Sequence, residues 1–105
     1  MTKKDFKGLV FIASIHNGRK TIYCGSVEYL RNEVFGYTLE CGNSWNSKIN
    51  LYPKSAKSMV TALNKSAEEC RRYNDYYETS SYEEFIAAGG EFDQNERNGV
   101  AHTSF

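Results

Sequence analysis

The side chains able to do covalent or proton-transfer chemistry are few: His16 and His102, and the thiols of Cys24, Cys41 and Cys70. Imidazole titrates near neutrality, so a histidine pair is the smallest acid–base device a little hydrolase could use. His16 falls beside a turn and His102 in the C-terminal tail, with no spacing that brings them together. Two surface histidines are the simpler reading. The cysteines are odd in number and lack CxxC spacing, so neither a disulfide framework nor a zinc site is expected. A reactive thiol needs a basic, accessible setting. Cys24 and Cys41 instead sit among apolar, strand-like neighbours, and Cys70 falls on an apolar helical stripe, where thiols act as small hydrophobes. There is no glycine-rich phosphate loop, GxSxG, HExxH or EF-hand pattern. The sequence therefore predicts a non-enzymatic chain with no cofactor and no metal, and a hydrolase using His16 and His102 ranks third among the readings.

Binding is better represented. Residues 73–85 read YNDYYETSSYEEF, interleaving tyrosines with carboxylates. Tyrosine gives a large contact area for few torsions and keeps a polar tip, which suits interface hot spots. Surrounding carboxylates attract a basic partner. The predicted protein-binding residues are Tyr76, Tyr77, Glu78, Tyr82, Glu83 and Glu84, with Tyr73, Tyr77 and Phe85 also able to serve as core anchors. The alternative is a nucleic-acid module. His16, Arg19 and Lys20 flank a hairpin tip, and a basic ribbon can enter a groove, with Lys54 and Lys57 extending the surface. The bland version of that feature is a charged turn that blocks edge pairing.

Charge bears on the choice. Thirteen basic and thirteen acidic residues cancel, which argues against a general nucleic-acid coat. The total hides a gradient. Residues 1–25 carry Lys3, Lys4, Lys7, Arg19 and Lys20 against Asp5, whereas residues 78–105 carry Arg97 against Glu78, Glu83, Glu84, Glu91, Asp93 and Glu96. No apolar run reaches the ~18 residues of a membrane span, and the N-terminal apolar stretch is too short and interrupted for a signal peptide. A soluble, cytoplasmic protein is expected.

These side chains need elements to hold them. With 105 residues, 40% of them hydrophobic, one domain over 1–105 with a modest core is expected. Two β-branched apolar runs flank Asn17-Gly18, the strongest short hairpin signal. That register puts His16 opposite Arg19, Ala13 opposite Ile22 and Phe11 opposite Cys24. Phe11, Ala13, Ile15, Ile22 and Cys24 then share a face. Val10, Ile12 and Tyr23 share the other, which is either covered or a contact surface. Residues 26–36 fit a helix capped by Ser26 or a strand end, a turn and a new strand from Val34; the strand reading is taken. Strands follow over 34–41 and 48–51. Pro53 opens a helix whose stripe, Ala56, Met59, Leu63, Ala67, Cys70, Tyr73 and Tyr77, extends it over 54–77 against Phe11 and Ile22. A second helix starts at Ser81 with Glu84 in capping-box position, turns Phe85 and Ile86 inward, and stops at Gly89-Gly90. Residues 100–105 are a possible last strand. The fold class is α+β: an antiparallel sheet of about four strands, one long helix on one face and a short second helix. On this frame the sequence predicts a small regulator or inhibitor acting by protein contact, a profile that phage and mobile-element accessory proteins share, with a basic protein surface as its partner.

Overall fold

The structure, a computed structural model, describes residues 2–36 and 52–103. Strands β1 (Val10–His16) and β2 (Arg19–Gly25) form the expected hairpin. Asn17 and Gly18 take φ of 51° and 82°, the left-handed pair that a type I′ turn demands. The register is the predicted one, with His16 opposite Arg19 and Phe11 opposite Cys24.

After β2 the chain turns helical. Ser26 caps α1 (Val27–Leu30), its hydroxyl accepting from the Tyr29 N–H at 3.0 Å. A π-helical turn, Arg31–Gly36, continues it and buries Val34 and Phe35. The strand reading of 26–36 is thus overturned. The 3–4 spacing of Val27, Leu30 and Val34 outweighs their β-propensity, because it presents one apolar face to a core already formed by the hairpin. The expected strands over 37–41 and 48–51, and Cys41, lie outside the described residues.

Helix α2 (Ala56–Glu69) is capped by Ser55, which accepts from the Ser58 N–H at 3.1 Å. It therefore starts two residues beyond the expected position. It also ends eight residues before Tyr77. Arg71 adopts φ 57°, and the Arg72 N–H donates to the Ala67 carbonyl at 2.8 Å, closing a Schellman turn without glycine. Arg72 then turns back to Asp75 at 3.8 Å and to the Ser66 hydroxyl at 3.3 Å. The stripe beyond Cys70 belongs to a turn and to a strand, β3 (Asp75–Thr79), where Tyr77 is buried by alternation. Cys70 is the half-buried C-cap of α2 rather than a core position.

Helix α3 (Tyr82–Ala87) starts at the Ser81 cap as predicted, the Glu84 N–H reaching Ser81 Oγ at 3.2 Å. The Glu84 carboxylate goes instead to Ser80 and Lys20, so the capping box is half made. Gly89, at φ 75°, and the Gly90 N–H donating to the Phe85 carbonyl at 3.0 Å end it. Phe85 is wholly buried, but Ile86 is 40% exposed, on the outer side of this short helix. A hairpin of β4 (Glu91–Asp93) and β5 (Asn98–His102) completes the chain.

The described strands form one five-stranded antiparallel sheet in the order β3-β1-β2-β5-β4. The fold is α+β, with the longest helix on one face and the short helix on the other. Both faces of β1 are core. Phe11, Ala13, Ile15, Ile22 and Cys24 do share a face, with Ala101, but Phe85 of α3 and Phe6 of an N-terminal 3₁₀ turn (Lys3–Phe6) cover it. Helix α2 packs on the opposite face, over Ile12 and Tyr77, together with Leu30, Val34 and Phe35. The expected seat of the long helix was therefore the wrong side. Because β1 is apolar on both faces, alternation alone does not say which helix takes which.

One contact holds α2 to the sheet edge. Asn64 receives the Tyr77 N–H at 2.7 Å and donates Nδ2–H to the Tyr77 carbonyl at 2.8 Å. Its carboxamide thus occupies the place of a neighbouring strand on outer strand β3.

Candidate functional site

The turn between β1 and β2 meets the turn between α2 and β3, where the Asn17 N–H donates to the Asn74 carbonyl at 3.0 Å. Two tyrosines stand out at this corner: Tyr73 is 79% and Tyr76 52% exposed. Tyr76 lies opposite Ile15, whose other neighbour is Lys20, so Tyr76 and Lys20 share one sheet face, whereas His16 and Arg19 alternate to the other. Lys20 Nζ lies 3.0 Å from Glu78 and 3.4 Å from Glu84. Its pKa is raised, chiefly by the bond to Glu78. Lys3 lies 3.0 Å from Glu83 and holds its carboxyl below the usual range. His16 Nδ1 contacts Asp75 Oδ1.

The predicted residues are thus sorted. Tyr76 is available for contact. Tyr77 is buried against α2 and is removed from the binding set, since its strand turns it inward. Tyr82 is half-buried, its ring edge-on to Phe6 at a centroid distance of 5.0 Å. Glu78, Glu83 and Glu84 each face a lysine. The basic set divides too. His16, Arg19 and Lys20 share the hairpin tip, but Lys54 and Lys57 flank the start of α2, whose far end leads into this corner. The 14 residues of α2 put them about 21 Å away. Tyr73, expected as a helical core residue, is the exposed ring that the periodicity misplaced.

The histidines are on one sheet face but on β1 and β5, with β2 between them. Two strand spacings separate those strands by about 10 Å. His102 Nδ1 lies 3.4 Å from the Thr21 hydroxyl. Cys24 is fully buried, and burial pushes its thiol up to about 12. Among the described residues no three His, Cys, Asp or Glu side chains gather to hold a metal, and no helix is long and apolar enough to cross a membrane.

A feature not foreseen lies on the α2 side of the sheet. Helix α2 covers β3 and β1, while beside α1 the β2–β5–β4 half holds a groove of about 690 Å³. Tyr23, Val100 and His102 line its floor, Tyr29 one wall, and Glu91 and Asp93 the far rim. Gly25 makes the wall possible, since a Cβ there would lie 2.6 Å from the Tyr29 ring. Burial raises the Tyr23 pKa first, with Tyr77 and Tyr29 adding; burial, Glu33 and Glu96 raise that of Tyr29. Both rings are therefore neutral phenols. A smaller hollow of about 440 Å³ on the opposite face is bordered by Lys3, Lys4 and Lys7 around Phe6 and Leu9. Glu78, Glu83 and Glu84 thus pair with lysines of the first quarter of the chain, while Glu91 and Asp93 line the groove. Comparison with protein-family models, curated proteins and solved structures finds no match in any of them.

Proposed function

We propose that this chain is a non-enzymatic binding protein that acts by protein–protein contact, of the regulator or inhibitor kind, through the corner around Tyr73 and Tyr76. The observation that carries the reading is the pair of exposed rings, Tyr73 and Tyr76, the second of which shares a sheet face with Lys20 and Glu78. Tyrosine rings left in water, with two side-chain torsions each, lose little conformational freedom on binding. The ion pairs beside them are partly exposed and contribute little to folding, roughly 0–1 kcal/mol each. A partner can therefore take them over at small cost. A basic partner surface would displace Lys20 and engage Glu78 and Glu84.

The nucleic-acid reading has less support, because Lys20 is held by two carboxylates and Lys54 and Lys57 lie at the far end of α2. Affinity capture from host lysate tests the proposal, with Tyr73→Ser/Tyr76→Ser beside the wild type. Loss of one captured protein from the double variant, with an unchanged circular dichroism spectrum, supports it. Equal capture by both removes it. Binding of DNA or RNA at low salt that Arg19→Ala abolishes would favour the alternative.

A further inference from the structure

We infer that the groove over β2, β5 and β4 is a second binding site, which receives an extended segment of a protein partner bearing lysine or arginine. Three observations converge on it. The first is shape. The floor crosses two strand spacings, about 10 Å, enough for one extended chain and its side chains. The second is the wall chemistry. Tyr23 and Tyr29 bring aromatic rings to the groove, and a ring face attracts an ammonium or guanidinium group.

The third is uncompensated charge. At the tyrosine corner every predicted carboxylate faces a lysine. In the groove Glu91 and Asp93 enter no ion pair among the described residues, and no described lining residue is Lys or Arg. Asp93 uses Oδ1 to accept the N–H groups of Asn95 and Glu96 at 2.8 and 3.2 Å, which fixes the β4–β5 turn. Glu33 and Glu96 add negative potential near Tyr29. A hollow with two phenols, two carboxylates that enter no ion pair among the described residues, and no lysine or arginine among its described lining residues complements a basic side chain, and it repels phosphate. The site is separate from the corner, so each stands or falls alone.

The test is a titration of the ¹⁵N-labelled full chain with an acetylated peptide of alternating Arg and Gly, followed by amide shifts at low and moderate salt. A Glu–Gly peptide of equal length is the control. Shifts at Tyr23, Gly99, Val100 and His102 are expected, with binding at least tenfold weaker in Glu91→Lys and unchanged in Glu83→Lys, which alters the opposite face. Glu91 is exposed, so the variant should keep the wild-type spectrum; Tyr29→Leu, which removes a ring and no charge, is the second variant and should weaken binding severalfold. Shifts centred on Glu78 and Glu84, equal binding by Glu91→Lys, or equal binding of the acidic peptide would each overturn the assignment. So would self-association of the chain that Glu91→Lys abolishes, since the occupant would then be a second copy.

Discussion

Asn64→Ala tests whether a helix side chain closes the sheet edge. The substitution removes an acceptor 2.7 Å from the Tyr77 N–H and a donor 2.8 Å from its carbonyl, both in a partly buried setting. Each intramolecular hydrogen bond contributes roughly 0.5–1.5 kcal/mol net, so the pair accounts for about 1–3 kcal/mol. Alanine is the better helix former, which returns about 0.5–0.7 kcal/mol in the interior of α2. The net loss is about 1–2 kcal/mol, equivalent to a Tm drop of roughly 5–15 °C for a domain near 100 residues. Differential scanning calorimetry measures the drop, and amide exchange localises it. The Tyr77 amide should exchange at least tenfold faster in the variant, whereas amides of β2 should slow or quicken only with global stability. Lys65→Ala, one residue along on the exposed side of α2, is the control and should shift Tm little. An unchanged or higher Tm with an unaltered Tyr77 exchange rate would show that helix propensity outweighs the edge contact, and the reasoning would be refuted.

Other outcomes follow from single positions. Gly99→Ala places a Cβ 2.4 Å from the Glu91 carbonyl oxygen and 3.0 Å from the Phe85 ring, so urea unfolding should show a loss of about 2 kcal/mol. Arg71→Gly relieves a left-handed residue at φ 57° and should raise the urea midpoint, by about 0.5–1 kcal/mol in stability. Stability should fall as pH rises above 9. The Cys24 thiol, pushed by burial from its ordinary 9.0 up to about 12, keeps its proton in the native state across that range. The unfolded chain therefore releases that proton first, and the native state is disfavoured by up to ~1.4 kcal/mol per pH unit across this window. Lys20 acts in the same direction at higher pH: its raised pKa gives stability below the ordinary lysine value that is lost as pH climbs through the folded one. Chemical denaturation at pH 8 and 10.5 checks the sign, and Cys24→Ala should flatten the slope.

Local signals were legible where the backbone itself enforces them. Asn17-Gly18 dictated the hairpin and its register, and Ser81 with Gly89-Gly90 bounded α3, because φ > 0 and capping are short-range requirements. The end of α2 was hidden because its Schellman turn uses Arg71, and the 3–4 spacing runs on by chance through Tyr73 and Tyr77. Those two tyrosines are four apart, which is helical spacing. An exposed turn and an inward strand position nevertheless put them in opposite environments. The spacing thus misassigned Tyr73 to the core, while the interleaving of tyrosines with carboxylates misassigned Tyr77 to the contact surface.

The groove was illegible for a different reason: no segment carries it. Its floor comes from β2 and β5, its rim from β4 and one wall from α1, and β5 enters the sheet beside β2 although 72 residues separate Gly25 from Asn98 in sequence number. That placement puts Glu91 and Asp93 on the rim of a hollow, while Lys3, Lys4 and Lys7 border the opposite face with Glu83 among them. A neutral total charge is then compatible with one face of paired charges and a groove whose carboxylates enter no ion pair among the described residues. The physical basis is the doubly apolar β1. With β1 apolar on both faces, α2 takes the face that carries Ile12 and Tyr77, and the half built by β2, β5 and β4 keeps that face uncovered by it. A polar residue in place of Ile12, as Ile12→Asn, would remove the apolar surface that seats α2 and leave an amide among Leu30, Met59 and Leu63. The expected cost is about 3–5 kcal/mol, from lost burial and an unsatisfied polar group, enough to unfold a marginal domain. A cooperative thermal transition within a few degrees of wild type in Ile12→Asn would contradict this account of how the sheet divides.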